Sequence, residues 1–391
     1  MDEPQSMSRT PERMELPTLA KGNEFKLSFG LVLQILAGMA FGAWASYQLL
    51  RGGFSIAPAG TEKSWVLLLV VIAFVLALAL NLALHELGHA FAGRVMGGTV
   101  LRVILGPFRY ELFRSGFRWR KVRSLRGVGG FVQTVLPADG RLRAAMTVML
   151  LGGPLANLLL AACAFVIARV PGVHYAVRLS CVEIATFGVI LGLINLVPFR
   201  TQGFLTDGAQ LWRLWMHPET LERTALTARI ARSSIDGRRP RELDPADIEA
   251  LDPSRSSGNE RFVALLLRAS VAADKGDLRA ERTAIEAALA DWEHLPDGFR
   301  QHLALSAANS CAQLDRDPVR AREWLARAEG GLIEEYQYAE VRARIANLEG
   351  DPITRDASIE QMRRGIEDSI YLGDAKLVRE KLARWDQHRV L

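Results

Sequence analysis

Apolar residues fill the first half of the chain in long unbroken runs, whereas in the second half they recur at helical spacing among charges. Four runs stand out, at about residues 27–50, 65–96, 143–168 and 176–197. Each is long enough for a helix crossing a bilayer's hydrocarbon core, which takes about 20 residues. The first is too long for the apolar part of a signal peptide and lacks a convincing cleavage site, so it reads as a first span. Residues 1–25 ahead of it are polar and mixed in charge, and read as a disordered tail.

Between the second and third runs the pattern changes. Gly97-Gly98 ends a helix, and Phe108-Arg109-Tyr110-Glu111-Leu112 and Phe117-Arg118-Trp119-Arg120 then alternate around Ser115-Gly116. That alternation predicts a β-hairpin with an aromatic and an arginine face. Two roles are open to it: an interfacial element with aromatics among headgroups and arginines on phosphates, or an edge strand that pairs with extended substrate. After the fourth run, Asn195-Leu196-Val197-Pro198 leads through a Gly-containing turn to Thr206-Asp207-Gly208 and an amphipathic helix over Ala209 to His217.

Ser233 to Asn259 is rich in Ser, Pro, Asp and Arg and reads as a linker. Beyond it, Asp277-Leu278, Asp317-Pro318 and Asp351-Pro352 mark helix starts, Asp serving as the cap and Pro as the first helical residue. Their intervals approach the period of about 34 residues of tetratricopeptide repeats, and Ala284, Ala287, Ala288, Ala307 and Ala308 suit close helix stacking. The expected fold is therefore mainly α: a polytopic membrane domain of about four spans with a small β-hairpin insertion, then a soluble helical repeat domain. The corresponding boundaries are a tail at 1–25, a membrane domain at 26–217, a helix and linker at 218–258, and a repeat domain at 259–391.

At 391 residues the chain has room for two or three domains. Cys163, Cys181 and Cys311 cannot all pair and show no metal spacing, so they read as reduced packing residues. The net charge of +5 matters less than its distribution. Arg102, Arg109, Arg114, Arg118, Arg120, Lys121, Arg123 and Arg126 crowd the segment after the second run. That excess places the segment, and with it both termini, in the cytoplasm, with anionic lipid rather than nucleic acid as its partner.

The candidate chemistry lies at the end of the second run, in His85-Glu86-Leu87-Gly88-His89. Ionisable groups at membrane depth are costly and mark function. Histidines at i and i+4 share a helix face and can converge on one ion, with Glu86 placed to deprotonate a metal-bound water. Asn81, one turn earlier, is either a support for His85 or an interhelical hydrogen-bonding group. In the third run Gly152-Gly153-Pro154 permits close helix contact and loosens the backbone, and Asn157 is an amide that needs partners. Asp207 taken alone reads as a helix cap; with His85 and His89 it completes a two-His-one-carboxylate zinc site with an open position.

These motifs, in this order, resemble the site-2 protease family of intramembrane zinc metalloproteases (peptidase family M50), over about residues 27–217. The resemblance implies His85, His89 and Asp207 as ligands of Zn²⁺ and Glu86 as the catalytic base. It implies that Asn157 orients substrate or oxyanion, and that Asn195 and Pro198 lead to the aspartate. The interval from Pro198 to Asp207 is longer than is usual in the family, and neither Asp139 nor Glu183 is a better-placed carboxylate. The implied activity is hydrolysis of peptide bonds in or near transmembrane segments of membrane-protein substrates, in a multi-pass protein of a bacterial inner membrane. The helical repeats would recruit a protein partner. Two further readings are a membrane adaptor whose protease region is inactive, and an HExxH membrane protease of the class that uses glutamate as third ligand.

Overall fold

A computed structural model describes residues 14, 63–106, 108–121, 130–201, 204–255, 258–328 and 333–388. Three of its helices are long and apolar enough to cross a membrane: α1 (Lys63–Val95), α2 (Leu142–Ala168) and α3 (Tyr175–Leu196). The expected first span lies outside the described residues. The three helices pack on one another, and most of their surface is apolar and exposed, as a bilayer requires. Where α1 meets α2, a Cβ on Gly88 would stand 2.3 Å from the Gly152 carbonyl oxygen, so only glycine permits this approach. α2 runs helically through Pro154. The proline has no N–H for the Leu150 carbonyl, and this costs a hydrogen bond without ending the helix.

The hairpin expected between the first two of these helices belongs to a larger sheet. Strands β1 (Thr99–Leu105), β2 (Phe108–Phe113), β3 (Gly116–Lys121) and β4 (Gly130–Val135) pair antiparallel in the order β3-β2-β1-β4. Alternation puts Phe108, Tyr110, Phe117 and Trp119 on one face, where Tyr110 stacks on Phe117 at 4.6 Å between centroids. Phe108 and Trp119 are exposed on that face.

On the other face, Arg102 and Arg109 are buried beside a carboxylate. Arg102 stands opposite Glu111 in the β1–β2 register and bonds to it, and Arg109 Nε lies 3.2 Å from the same carboxylate. All three are buried.

Beyond α3, a two-residue ladder between β5 (Arg200–Thr201) and β6 (Phe204–Leu205) precedes α4 (Asp207–Met216). α4 leaves Trp212, Trp215 and Met216 exposed, as suits a helix at an apolar–polar boundary. α5 (Pro218–Ile235) follows. The segment expected to be a linker carries α6 (Pro245–Ala250) and buries Leu243, Leu251 and Arg239, whose guanidinium bonds to Asp274.

The remaining chain forms helices α7 (Asn259–Lys275), α8 (Leu278–Leu289), α9 (Asp297–Ser310), α10 (Pro318–Arg327), α11 (Glu335–Glu349), α12 (Pro352–Asp368) and α13 (Leu372–His388). Asp277, Asp317 and Asp351 cap α8, α10 and α12 as their sequence context predicts, accepting from backbone N–H groups at 2.9–3.1 Å. Of residues 1–62 only Met14 is described. It is buried in the core formed by Phe262, Leu303, Trp324 and their neighbours.

The sheet also touches these helices. Asp368, the last residue of α12, accepts from Ser115 N at 2.8 Å and Ser115 Oγ at 2.9 Å, and pairs with Arg118 at 2.9 Å. The sheet thus connects the C-terminal helices to the end of α1.

Candidate metal centre

His85 and His89 lie one turn apart on α1, and their rings turn the Nε2 atoms to within 3.2 Å of each other. Asp207 Oδ2 is 3.2 Å from His85 Nε2 and 3.4 Å from His89 Nε2. Among the described residues this is the one group of three His, Cys, Asp or Glu side chains whose ligand atoms converge within 4.8 Å.

The longer turn before Asp207 is absorbed by the β5–β6 ladder. Thr206 N donates to Phe199 O at 3.1 Å and Thr206 Oγ1 to Val197 O at 2.7 Å, so the chain returns to the end of α3. Thr206, not Asp207, is the cap of α4. That frees the Asp207 carboxylate for the histidines. A Cβ on Gly208 would meet the Leu196 carbonyl oxygen at 1.9 Å, so this close seat of α4 on α3 depends on glycine.

The donor set fits a zinc ion. Ligands bound tetrahedrally at about 2.0–2.1 Å stand roughly 3.3–3.4 Å apart, which matches the three observed separations. His89 Nδ1 stands 2.7 Å from Met149 O; donating its proton there, it leaves the Nε2 lone pair facing Asp207. On His85 the corresponding partner is Asn157, whose amide group stands 3.1 Å from Nδ1. Asn157 is fully buried and its Oδ1 has no partner. A half-turn of that amide sets Oδ1 to accept from Nδ1–H, which satisfies the oxygen and frees the second Nε2. The amide expected from the sequence to meet substrate therefore has a histidine as its neighbour. Asn81 acts between helices, donating to Ala77 O at 2.9 Å and to Ile184 O of α3 at 3.1 Å. Asn195 donates to Leu191 O within its own helix, at 3.1 Å.

Glu86 faces the sheet. A Cβ on Gly130, the first residue of β4, would lie 2.4 Å from both Cγ and Oε1 of Glu86. β4 is an edge strand that pairs with β1 alone among the described strands. Its role was not apparent from the sequence. The available signal was Gly129-Gly130 ahead of Phe131 to Val135, rich in aromatic and β-branched residues, since glycine opening a strand often marks a close approach of other groups. We expect Gly130→Ala to displace the Glu86 carboxylate, lowering any hydrolytic rate about tenfold or more while metal content stays unchanged. Assay and metal analysis on the same preparation would check this.

No curated protein and no solved structure matches the chain. The model of peptidase family M50 matches residues 73–181, the segment that holds His85, Glu86, His89 and Asn157. The match covers part of the chain, and with three helices able to span a membrane it supports a membrane peptidase.

Proposed function

We propose that the chain is an intramembrane zinc metalloprotease that hydrolyses peptide bonds in or near transmembrane segments of membrane proteins. The observation that carries this reading is the convergence of His85, His89 and Asp207 at 3.2–3.4 Å, with Glu86 beside them at the start of an edge strand. Zinc bound by these three residues would acidify water and polarise a scissile carbonyl. Glu86 is the group placed to take a proton from the attacking water and return it to the leaving amine. Asn157 and the Met149 carbonyl orient the two imidazoles.

A substrate helix has its backbone hydrogen bonds closed internally and must unwind before attack. An unwound segment can pair with the outer edge of β4, which holds it extended beside Glu86. The exposed Phe108 and Trp119 suit a sheet lying in the interfacial zone. The first helices of successive pairs begin at Asn259, Asp297 and Glu335, with α13 beginning at Leu372; this near-even spacing supports a tetratricopeptide-like scaffold that recruits a partner. The arginine-rich segment favours a cytoplasmic location for the sheet, the C-terminal helices and both termini, in a bacterial inner membrane.

The test is metal content paired with cleavage. The detergent-purified chain should carry about one zinc per molecule, as a three-ligand site with one open position predicts. A strong chelator should abolish cleavage of a membrane-embedded substrate, and Asp207→Ala should strip the metal. Protein that folds but holds no zinc would overturn the reading in favour of an adaptor; unchanged zinc in Asp207→Ala would point to a different third ligand.

A further inference from the structure

The C-terminal helices enclose a cavity of about 170 Å³ between α7, α9, α11 and α13, with exposed Ser270 at its rim. Three carboxylates line it: Glu281, Glu340 and Asp374. Glu340 is fully engaged, accepting from Arg344 Nη2 at 2.8 Å and Lys381 Nζ at 2.6 Å. Those two cations hold its carboxyl down at about 2.

Glu281 differs. It is 6 % exposed and makes no ion pair among the described residues. Its one polar contact is the side chain of Asn309, and the Oδ1 of that asparagine is itself buried without a partner. Burial pushes the Glu281 carboxyl up to about 7 against the pull of Lys381 and Arg344, which are bonded to Glu340, and burial pushes Asp374 up to about 6. His302, also lining the cavity, is depressed by burial and adds no positive charge at neutral pH.

A buried carboxylate with no ion pair of its own is costly, and Lys381, which also lines the cavity, is already bonded to Glu340. A divalent metal would not meet the need, because these carboxylates do not converge as the membrane-embedded His-His-Asp group does. An organic cation would: it carries several N–H donors and an apolar stem that suits walls formed by Ala269 and Val341. We propose that this cavity receives the ammonium or guanidinium group of a lysine or arginine side chain presented by a partner protein, with Glu281 as its counter-ion.

The test is a titration of the full chain, in neutral detergent, with fluorescent pentapeptides carrying lysine, arginine or norleucine between alanines. Saturable binding of the lysine or arginine peptide is expected, with the norleucine peptide at least about tenfold weaker, the scale of a charge-assisted hydrogen bond. Glu281→Gln should weaken the cationic peptide by a similar factor while leaving zinc content and the melting temperature unchanged. Asp374→Asn serves as the second variant should the first fail to fold. Competition by n-butylamine as strong as by peptide would make a free amine the occupant and overturn the protein-borne side chain. Equal binding of norleucine, unchanged binding in Glu281→Gln, or no saturable binding would overturn the site. None of these outcomes depends on the chain being a protease.

Discussion

Replacing Glu86 by glutamine should leave zinc bound and reduce cleavage of a transmembrane substrate by roughly 10²–10⁴-fold, the range lost when a positioned acid–base group is removed. The expectation rests on where Glu86 stands. It adjoins His85 in sequence but does not join the ligand cluster, whose three members are His85, His89 and Asp207. Its side chain instead lies against Gly130, between the cluster and the edge of β4. Glutamine keeps the volume and the approach to Gly130 while losing the site for a proton. The metal should therefore be indifferent to the change and the chemistry should not. Cleavage assay and metal analysis of one preparation decide the matter: retained cleavage would remove Glu86 from the mechanism, and lost zinc would make it a ligand or a support for one.

The parts of this arrangement visible in the sequence are those set by local chemistry. Three long apolar runs became three helices, because a span must close its own backbone hydrogen bonds. Asp277, Asp317 and Asp351 cap helices as their neighbours dictate. The turn at Ser115-Gly116 joins β2 and β3, where Gly116 has a φ of +109°.

What escaped the sequence depends on contacts between distant segments. β1 is rich in valine, isoleucine and leucine and, although Gly97-Gly98 breaks the helix before it, lacks the alternation that marks β2 and β3. Arg102 and Arg109 read as surface cations until the register sets Glu111 against them. Asn157 reads as a polar group in search of a partner, but that the partner is His85 follows only from how α1 crosses α2. The turn before Asp207 looked too long because the β5–β6 ladder that shortens it has only two residues per strand.

Gly153→Ala should lower zinc affinity by roughly 10–100-fold, the range for changes that misplace metal-binding histidines. Gly153 is the residue of α2 that backs onto the cluster. A Cβ there would stand 2.4 Å from His89 Nε2 and 2.8 Å from both Cε1 and Nε2 of His85. These are the atoms proposed to hold the metal, and neither ring can retreat freely. His89 is tied through Nδ1 to the Met149 carbonyl, and His85 lies against Asn157. The helices cannot separate cheaply either, since Gly88 and Gly152, the neighbours of His89 and Gly153, interlock. The added methyl therefore forces the rings off their shared focus, whereas alanine is otherwise the better residue for a helix by about 1 kcal/mol. The result to expect is a chain that folds and inserts like the wild type but carries little zinc, by mass spectrometry of the purified protein. Full zinc occupancy in Gly153→Ala would mean that the two Nε2 atoms do not meet at the ion, and the ligand set would have to be redrawn around other atoms.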